Sequence, residues 1–295
     1  MIGLPARSQH LIAKQVSVDG YDRQYFLFSP TGLEEGKKYP LVIVMHGGGG
    51  KAKQMADFSG FNPLAESEKF LVLYPNGYHK GWHDGRVAPS IKAYAQNIDD
   101  VKFIQSVIEE TERGYPVDSQ RIFATGISNG AIMALHLANL LSDKIRAIAL
   151  VCGSIPENQE KEFNPPQPVT LLVINGTADK LVPYEGGPVL KERSNRGRVI
   201  STEKMMERWI FISHTSGVPE SHPMPDKDPS DGCIADFLVY PSTATISIEL
   251  IRIKNGGHTW PGGKQYLPKM IVGNVCRDFK AEKVIWDFFK RQLPR

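Results

Sequence analysis

Apolar positions along the chain follow two spacings, and the switches between them outline the fold. Short runs rich in β-branched and aromatic residues predict strands at 10–20 (HLIAKQVSVDG), 21–30, 39–47, 69–77, 121–126, 145–153, 169–179 and 244–257. Several are continuously apolar, as in YPLVIVMHG and IRAIALVCG, which suits strands covered on both faces of a parallel sheet. Between them, residues 99–114 place Val101, Ile104, Val107 and Ile108 at helical spacing. Asp99 and Asp100 mark the start of that helix, Gly114 and Pro116 its end. Residues 129–143 are apolar nearly all round, as in a helix packed into a core, and residues 281–293 form an amphipathic helix. Alternating strands and helices predict one α/β domain over 1–295, a mostly parallel sheet with helices on both faces. The exception is 185–233, with one helical patch (201–214) and a Pro-rich stretch (216–232). An irregular region of this length is usually functional or mobile, so it is expected to be an insertion, a lid over the site.

Composition narrows the partners more than the fold. With 41% hydrophobic and 23% charged residues over 295 positions, the chain can bury a large core. A net charge of +3 is too weak a bias to predict nucleic acid or a membrane as partner. The one basic cluster, Lys191, Arg193, Arg196 and Arg198 around Glu192, reads as a solvated loop. No apolar run approaches membrane-spanning length, and the first fifteen residues lack a signal-peptide core. That leaves a cytosolic protein or one whose leader is absent from this sequence. Of three cysteines, Cys152 ends an apolar run and reads as a buried, inert thiol. Cys233 and Cys276 fall in loop-like segments, and whether they pair is open. No spaced Cys/His set suggests a metal site, so none is expected.

The run VMHGGGGKAK (44–53) raises the chemical question, since four glycines clear the backbone either for phosphate or for a developing oxyanion. A phosphate loop needs Gly at 45 and a hydroxyl after Lys51, but the chain has Met45 and Ala52. A dinucleotide fingerprint lacks its third Gly, which would fall at Ala52 or Lys53. The oxyanion alternative requires a nucleophile elsewhere, and FATGISNGAIM supplies one. Gly126-Ile127-Ser128-Asn129-Gly130 is G-x-S-x-G between a predicted strand and an apolar helix. That turn strains the Ser backbone and lifts its hydroxyl clear of the sheet.

Ser128 needs a base, which is usually a histidine held by a carboxylate. Of eight histidines, His10, His79, His214 and His222 sit in polar or loop-like segments, and His136 lies inside the apolar helix. His46 precedes the glycine run and is expected to shape it, while His83 in GWHDG is a minor rival. His258 in NGGHTWPGG follows the last predicted strand, with glycines that allow close approach. Asp179 in NGTADKLVPYEGG follows another, and ligands of such sheets gather at strand carboxyl ends. Asp99 and Asp100 read as helix starters and Asp231 as a loop residue. The order Ser128, Asp179, His258 is that of an α/β-hydrolase fold. There the oxyanion donors are the N–H after the nucleophile, here Asn129, and N–H groups of the loop after the third strand, here Gly47 and Gly48.

Segments spread over nearly the whole chain, HGGGG, IDDVKFI, GISNGAIMA, NGTADKLVPYEGG, GGHTWPGG, YLP and EKVIWDFF, make it similar to the polyhydroxybutyrate-depolymerase-like and feruloyl-esterase branch of the α/β hydrolases, carbohydrate esterase family one included. The resemblance implies a serine esterase with the triad Ser128, Asp179 and His258, and a secreted or periplasmic location. No metal or cofactor is required by such chemistry. The expected substrate is a small ester or an oligosaccharide ester, a feruloyl or related plant cell-wall ester first. Trp82, Tyr184 and Trp260 are then either stacking partners for a flat acyl group or packing for the triad loops. The alternatives are a short-chain polyhydroxyalkanoate-oligomer or acetyl-xylan esterase, a non-catalytic binding protein on a hydrolase scaffold, and a peptidase. The last two are disfavoured, by the complete triad and by the lack of a gating domain.

Overall fold

The computed structural model describes residues 11–243 and 246–292. His10 and residues 244–245, which begin the first and last predicted strands, lie outside the described residues. In chain order the elements are β1 (Leu11–Val18), β2 (Tyr21–Phe28), β3 (Tyr39–Met45), α1 (Ala52–Phe58), α2 (Phe61–Glu68), β4 (Leu71–Pro75), α3 (Lys92–Ala95), α4 (Asp100–Gly114), β5 (Val117–Ile127), α5 (Asn129–Leu140), β6 (Ala147–Val151), β7 (Thr170–Gly176), β8 (Gly187–Pro188), β9 (Arg198–Val199), α6 (Thr202–Ile212), β10 (Glu220–Pro223), β11 (Ile234–Tyr240), β12 (Ile248–Lys254), α7 (Lys269–Val272) and α8 (Ala281–Lys290).

Among the described residues, ten strands form one sheet in the order β1-β2-β4-β3-β5-β6-β7-β12-β11-β10. The centre, from β4 through β12, is parallel, and both edges are antiparallel. Every residue of β3, β6 and β7 is buried, which explains their continuous apolar runs. The period of two sorts side chains into two layers. Leu41, Ile43, Ile148, Leu150, Leu171 and Val173 face the layer containing residues of α4, α5 and α6. Val42, Val44, Ala149, Leu172 and Ile174 face that of α1, α2 and α8. Asp99 caps α4 by accepting from the Lys102 N–H at 2.8 Å, as its sequence position predicts.

Three features differ from the sequence expectation. Helices α1 and α2 were not predicted: they are short, and neither has a side-chain N-cap to announce it. Strands β10 and β11 extend the sheet where no alternation announces them: β10 contains a proline and is exposed throughout, and β11 mixes buried and half-buried positions. The region 185–233 is not one lid. The ribbon β8–β9 and the turn between its strands reach the cleft described below. Helix α6 buries Met205, Met206 and Trp209 in the core, and β10 lies at the far sheet edge.

Candidate active site

The site lies at the carboxyl ends of β3, β5, β7 and β12. Strand β5 turns directly into α5 at Ser128, whose φ of 60° and ψ of −122° fall where non-glycine residues are strained. The turn is held by the Ser128 N–H donating to the Val151 carbonyl at 2.9 Å and by its own carbonyl accepting from Ile132 at 3.0 Å. It crosses so close to β3 that a Cβ on Gly130 would meet the Met45 oxygen at 2.4 Å, and one on Gly126 the same atom at 2.7 Å. Half-buried Ser128 opens into a cleft of about 420 Å³.

Asp179 sits in the turn after β7. One carboxylate oxygen accepts from the N–H groups of Leu181 (2.7 Å) and Val182 (2.9 Å). The other lies 2.6 Å from His258 Nδ1, and both side chains are almost fully buried. His258 follows β12. Its backbone is fixed by an N–H bond to the Val272 carbonyl at 2.5 Å, and its carbonyl accepts from the Tyr266 hydroxyl at 2.9 Å. His258 and Ser128 line the same cleft. Beneath the pair, the Cys152 thiol points at the Thr259 and Gly257 carbonyls, and burial, with Asp179 beside it, pushes its pKa well up. Cys152, Asp179 and His258 place possible ligand atoms within 4.8 Å of one another. A metal there would need a thiolate and would compete with Asp179 for His258 Nδ1, so this donor set fits ring orientation better than metal binding.

The glycine loop after β3 presents two kinds of N–H group. Gly49 donates to the Lys80 carbonyl at 2.8 Å and Gly50 to that of Gly47 at 3.0 Å. The N–H groups of Gly47 and Gly48 have no partner among the described residues, and Asn129, as the first residue of α5, has no carbonyl four residues back to meet. His46 shapes this loop. It is buried, with Nδ1 2.8 Å from the Gly47 carbonyl and Nε2 accepting from the Gly77 N–H at 3.0 Å. Burial lowers its pKa from 6.5 to about 4, so the ring is neutral with its proton on Nδ1.

The support behind Asn129 leaves little trace in the sequence. The Asn129 side chain accepts from the Trp82 N–H at 2.9 Å and donates to Asp84 at 2.5 Å. Asp84 is fully buried and holds the Arg86 guanidinium at 2.8–3.2 Å, while the Tyr94 hydroxyl also donates to it. The available signal was D-x-R in a Gly-rich turn beside an aromatic, a weak one. Arg86 lines the cleft, and so does Arg196. That corrects the assignment of the 191–198 cluster to a solvated loop: Arg193 and Arg198 are exposed, but Arg196 is half-buried in the cleft wall.

The three aromatics expected at the substrate do not line the cleft. Trp82 is fully buried under the glycine loop, its Nε1–H bonded to the His46 carbonyl at 2.8 Å. Trp260 packs against Phe58 and Phe61. Tyr184 turns its hydroxyl to Glu203 at 2.6 Å. Packing under the triad loops claims them, and the aromatics that do face the cleft are Phe58 and Tyr266, beside Met55, Leu181, Val189, Leu190 and Leu267. The rival base His83 packs against Tyr94 with the rings tilted by 47°, and lines a separate hollow with His136 and Asp100. Asp100 does start α4, and it is also buried and bonded to Arg23 at 2.5 Å. Asp231 is a loop residue whose carboxylate accepts from the N–H groups of Cys233 and Arg277. Cys233 and Cys276 are buried neighbours present as free thiols, and the Cys276 pKa is raised by its hydrogen bond to Cys233 and by burial.

Comparisons with known proteins show the family of the chain. A profile of the phospholipase/carboxylesterase family matches residues 33–206. The chain is 28% identical over 295 residues to NocK of Nocardia uniformis subsp. tsuyamanensis, a protein that carries an esterase name, covering 96% of this chain and 84% of NocK. It is 28% identical to feruloyl esterase C of Emericella nidulans over 182 residues, covering 59% of this chain and 62% of that one. The chain thus spans about three-fifths of that fungal relative's length. Among solved structures, acetyl xylan esterase from Aspergillus awamori superimposes with a TM-score of 0.59 over 84% of this chain and 94% of that one, at 15% identity, a likeness of fold. The chain belongs to the phospholipase/carboxylesterase family of α/β hydrolases, and it is a carboxylic ester hydrolase.

Proposed function

We propose that the chain hydrolyses carboxylic esters through an acyl-enzyme on Ser128. The observation that carries this is the 2.6 Å contact between Asp179 and His258 Nδ1, with His258 and the strained Ser128 opening onto one apolar cleft. Asp179 is itself fixed by two backbone donors, so it holds the imidazole with its proton on Nδ1 and leaves Nε2 to accept the Ser128 proton. Ser128 Oγ then attacks the ester carbonyl. The developing negative charge falls to the N–H groups of Asn129 and of Gly47 and Gly48, where losing one donor typically costs about 3 kcal/mol of transition-state stabilisation. His258 returns the proton to the leaving alcohol, then activates a water that releases the acid.

The preferred substrate is a feruloyl-type aromatic ester, on its own or joined to an oligosaccharide. Support comes from the fungal relative's name, and from a cleft of about 420 Å³ walled by Phe58, Tyr266 and aliphatic side chains, in the size range of small-molecule sites. The second reading is a short-acyl esterase, favoured by the burial of Trp82, Tyr184 and Trp260 away from the cleft. Initial rates on methyl ferulate, acetyl-xylan, and p-nitrophenyl acetate and butyrate separate the two. Efficient turnover of ferulate supports the first, and turnover of short acyl esters alone leaves only the second.

A further inference from the structure

The cleft has a charge pattern that ester hydrolysis by itself does not require. Among the described residues, its lining contains three cations, Lys51, Arg86 and Arg196, and no Asp or Glu. They are not equivalent. The Arg86 charge is balanced by buried Asp84 at 2.8 Å. Lys51 is exposed on the rim, where solvent screens it. Arg196 is half-buried and forms no ion pair among the described residues, while its neighbour Arg198 holds Glu157 at 2.6 Å. The Arg196 Nη1 lies 3.4 Å from where a Cβ on Gly48 would stand, and so beside the N–H groups that face the reacting carbonyl.

The backbone of the turn that carries this guanidinium is pinned both from the opposite wall and within the ribbon. Arg86 Nη1 donates to the Arg196 carbonyl at 3.0 Å, Ser90 Oγ donates to the Asn195 carbonyl at 2.9 Å, and Val189 N–H to that of Gly197 at 2.9 Å. Gly197, at φ +77°, packs so close that a Cβ would meet the Val87 carbonyl at 2.9 Å. A cation carried on a fixed backbone into the wall of an apolar cleft, with no acid among the described lining residues to neutralise it, is suited to receive an anion.

We propose that Arg196 is a specificity-determining residue, and that the preferred esters carry a carboxylate on one arm, a few bonds from the scissile carbonyl. This inference rests on the ester-hydrolase reading and adds to it the class of ester. A hydroxycinnamoyl ester of a hydroxy acid satisfies both the apolar walls and the guanidinium, as does the hemi-ester of a dicarboxylic acid. In the first the charge sits on the alcohol arm, in the second on the acyl arm.

Two matched pairs test it: caffeoylquinate against methyl caffeate, and p-nitrophenyl hydrogen glutarate against p-nitrophenyl pentanoate. The ratio of kcat/KM, charged over neutral, is expected to exceed one by about tenfold for at least one pair, as one charge-assisted contact allows. The pair that shows it identifies the arm. Arg196→Gln should bring that ratio close to one, mainly through KM, and Arg196→Lys should restore part of it. Added salt should reduce it. Ratios near one in both pairs for the wild type overturn the proposal while leaving ester hydrolysis intact. So does a parallel loss on charged and neutral esters in Arg196→Gln, which would mark Arg196 as a general support of the oxyanion loop. Failure to cleave any of the four esters would instead count against the ester-hydrolase reading.

Discussion

Acidification should loosen the glycine loop through His46, and the effect can be sized. In the folded protein His46 takes up a proton only near pH 4, because burial disfavours the cation; unfolded, it does so near 6.5. A folded pKa below the unfolded one means that the unfolded state binds the proton first as pH falls. Stability from His46 is therefore full above about pH 6.5 and is lost progressively down to about 4. The shift of about 2.5 units corresponds to roughly 3 kcal/mol in total, of which about 2 kcal/mol is gone by pH 5. The geometry gives the same sign, since protonated Nε2 cannot accept from the Gly77 N–H, and the Nδ1–H bond to the Gly47 carbonyl depends on the ring staying in place. Urea unfolding of wild type and His46→Gln at pH 7.5, 6 and 5 isolates the residue. The wild type should be the more stable at pH 7.5, and its advantage should shrink by about 2 kcal/mol at pH 5. An advantage that stays constant from pH 7.5 to 5 would show that His46 does not titrate differently in the folded and unfolded states.

Two further substitutions probe the frame around the site. Asp84→Ala strips a fully buried carboxylate from Arg86, Tyr94 and Asn129 and leaves a buried guanidinium unpaired; a stability loss of about 3–5 kcal/mol is expected in chemical unfolding, and a loss under 1 kcal/mol would show the network to be slack. Gly130→Ala gains helix propensity yet drives a methyl group to 2.4 Å from the Met45 carbonyl, so thermal unfolding should show destabilisation by about 1–3 kcal/mol, with ester turnover falling too; an unchanged melting temperature and rate would mean that α5 and β3 move apart freely.

The parts of the site legible in the sequence were those tied to local backbone geometry. A strand feeding a helix through G-x-S-x-G makes a recognisable signal, and Asp179 and His258 both sit just past apolar strands, where the sheet topology brings them together. What could not be read was orientation. Trp82, Tyr184 and Trp260 lie within a few residues of site positions, but sequence spacing does not say which way a loop side chain turns, and all three turn inward. The Asp84–Asn129 and Arg86–Arg196 contacts join residues 45 and 110 positions apart, with no periodicity to link them. Arg196 looked like one of four surface cations because the ribbon that delivers it to the cleft consists of two-residue strands, too short to leave a pattern.

The mechanism rests on Ser128 as the nucleophile. Initial-rate hydrolysis of p-nitrophenyl butyrate by wild type and Ser128→Ala, with folding of both checked by circular dichroism, tests it most directly. The variant should fold and its kcat should fall by on the order of 10⁴-fold or more, with only oxyanion and binding contributions left. A folded Ser128→Ala protein that cleaves the ester at the wild-type rate would contradict it.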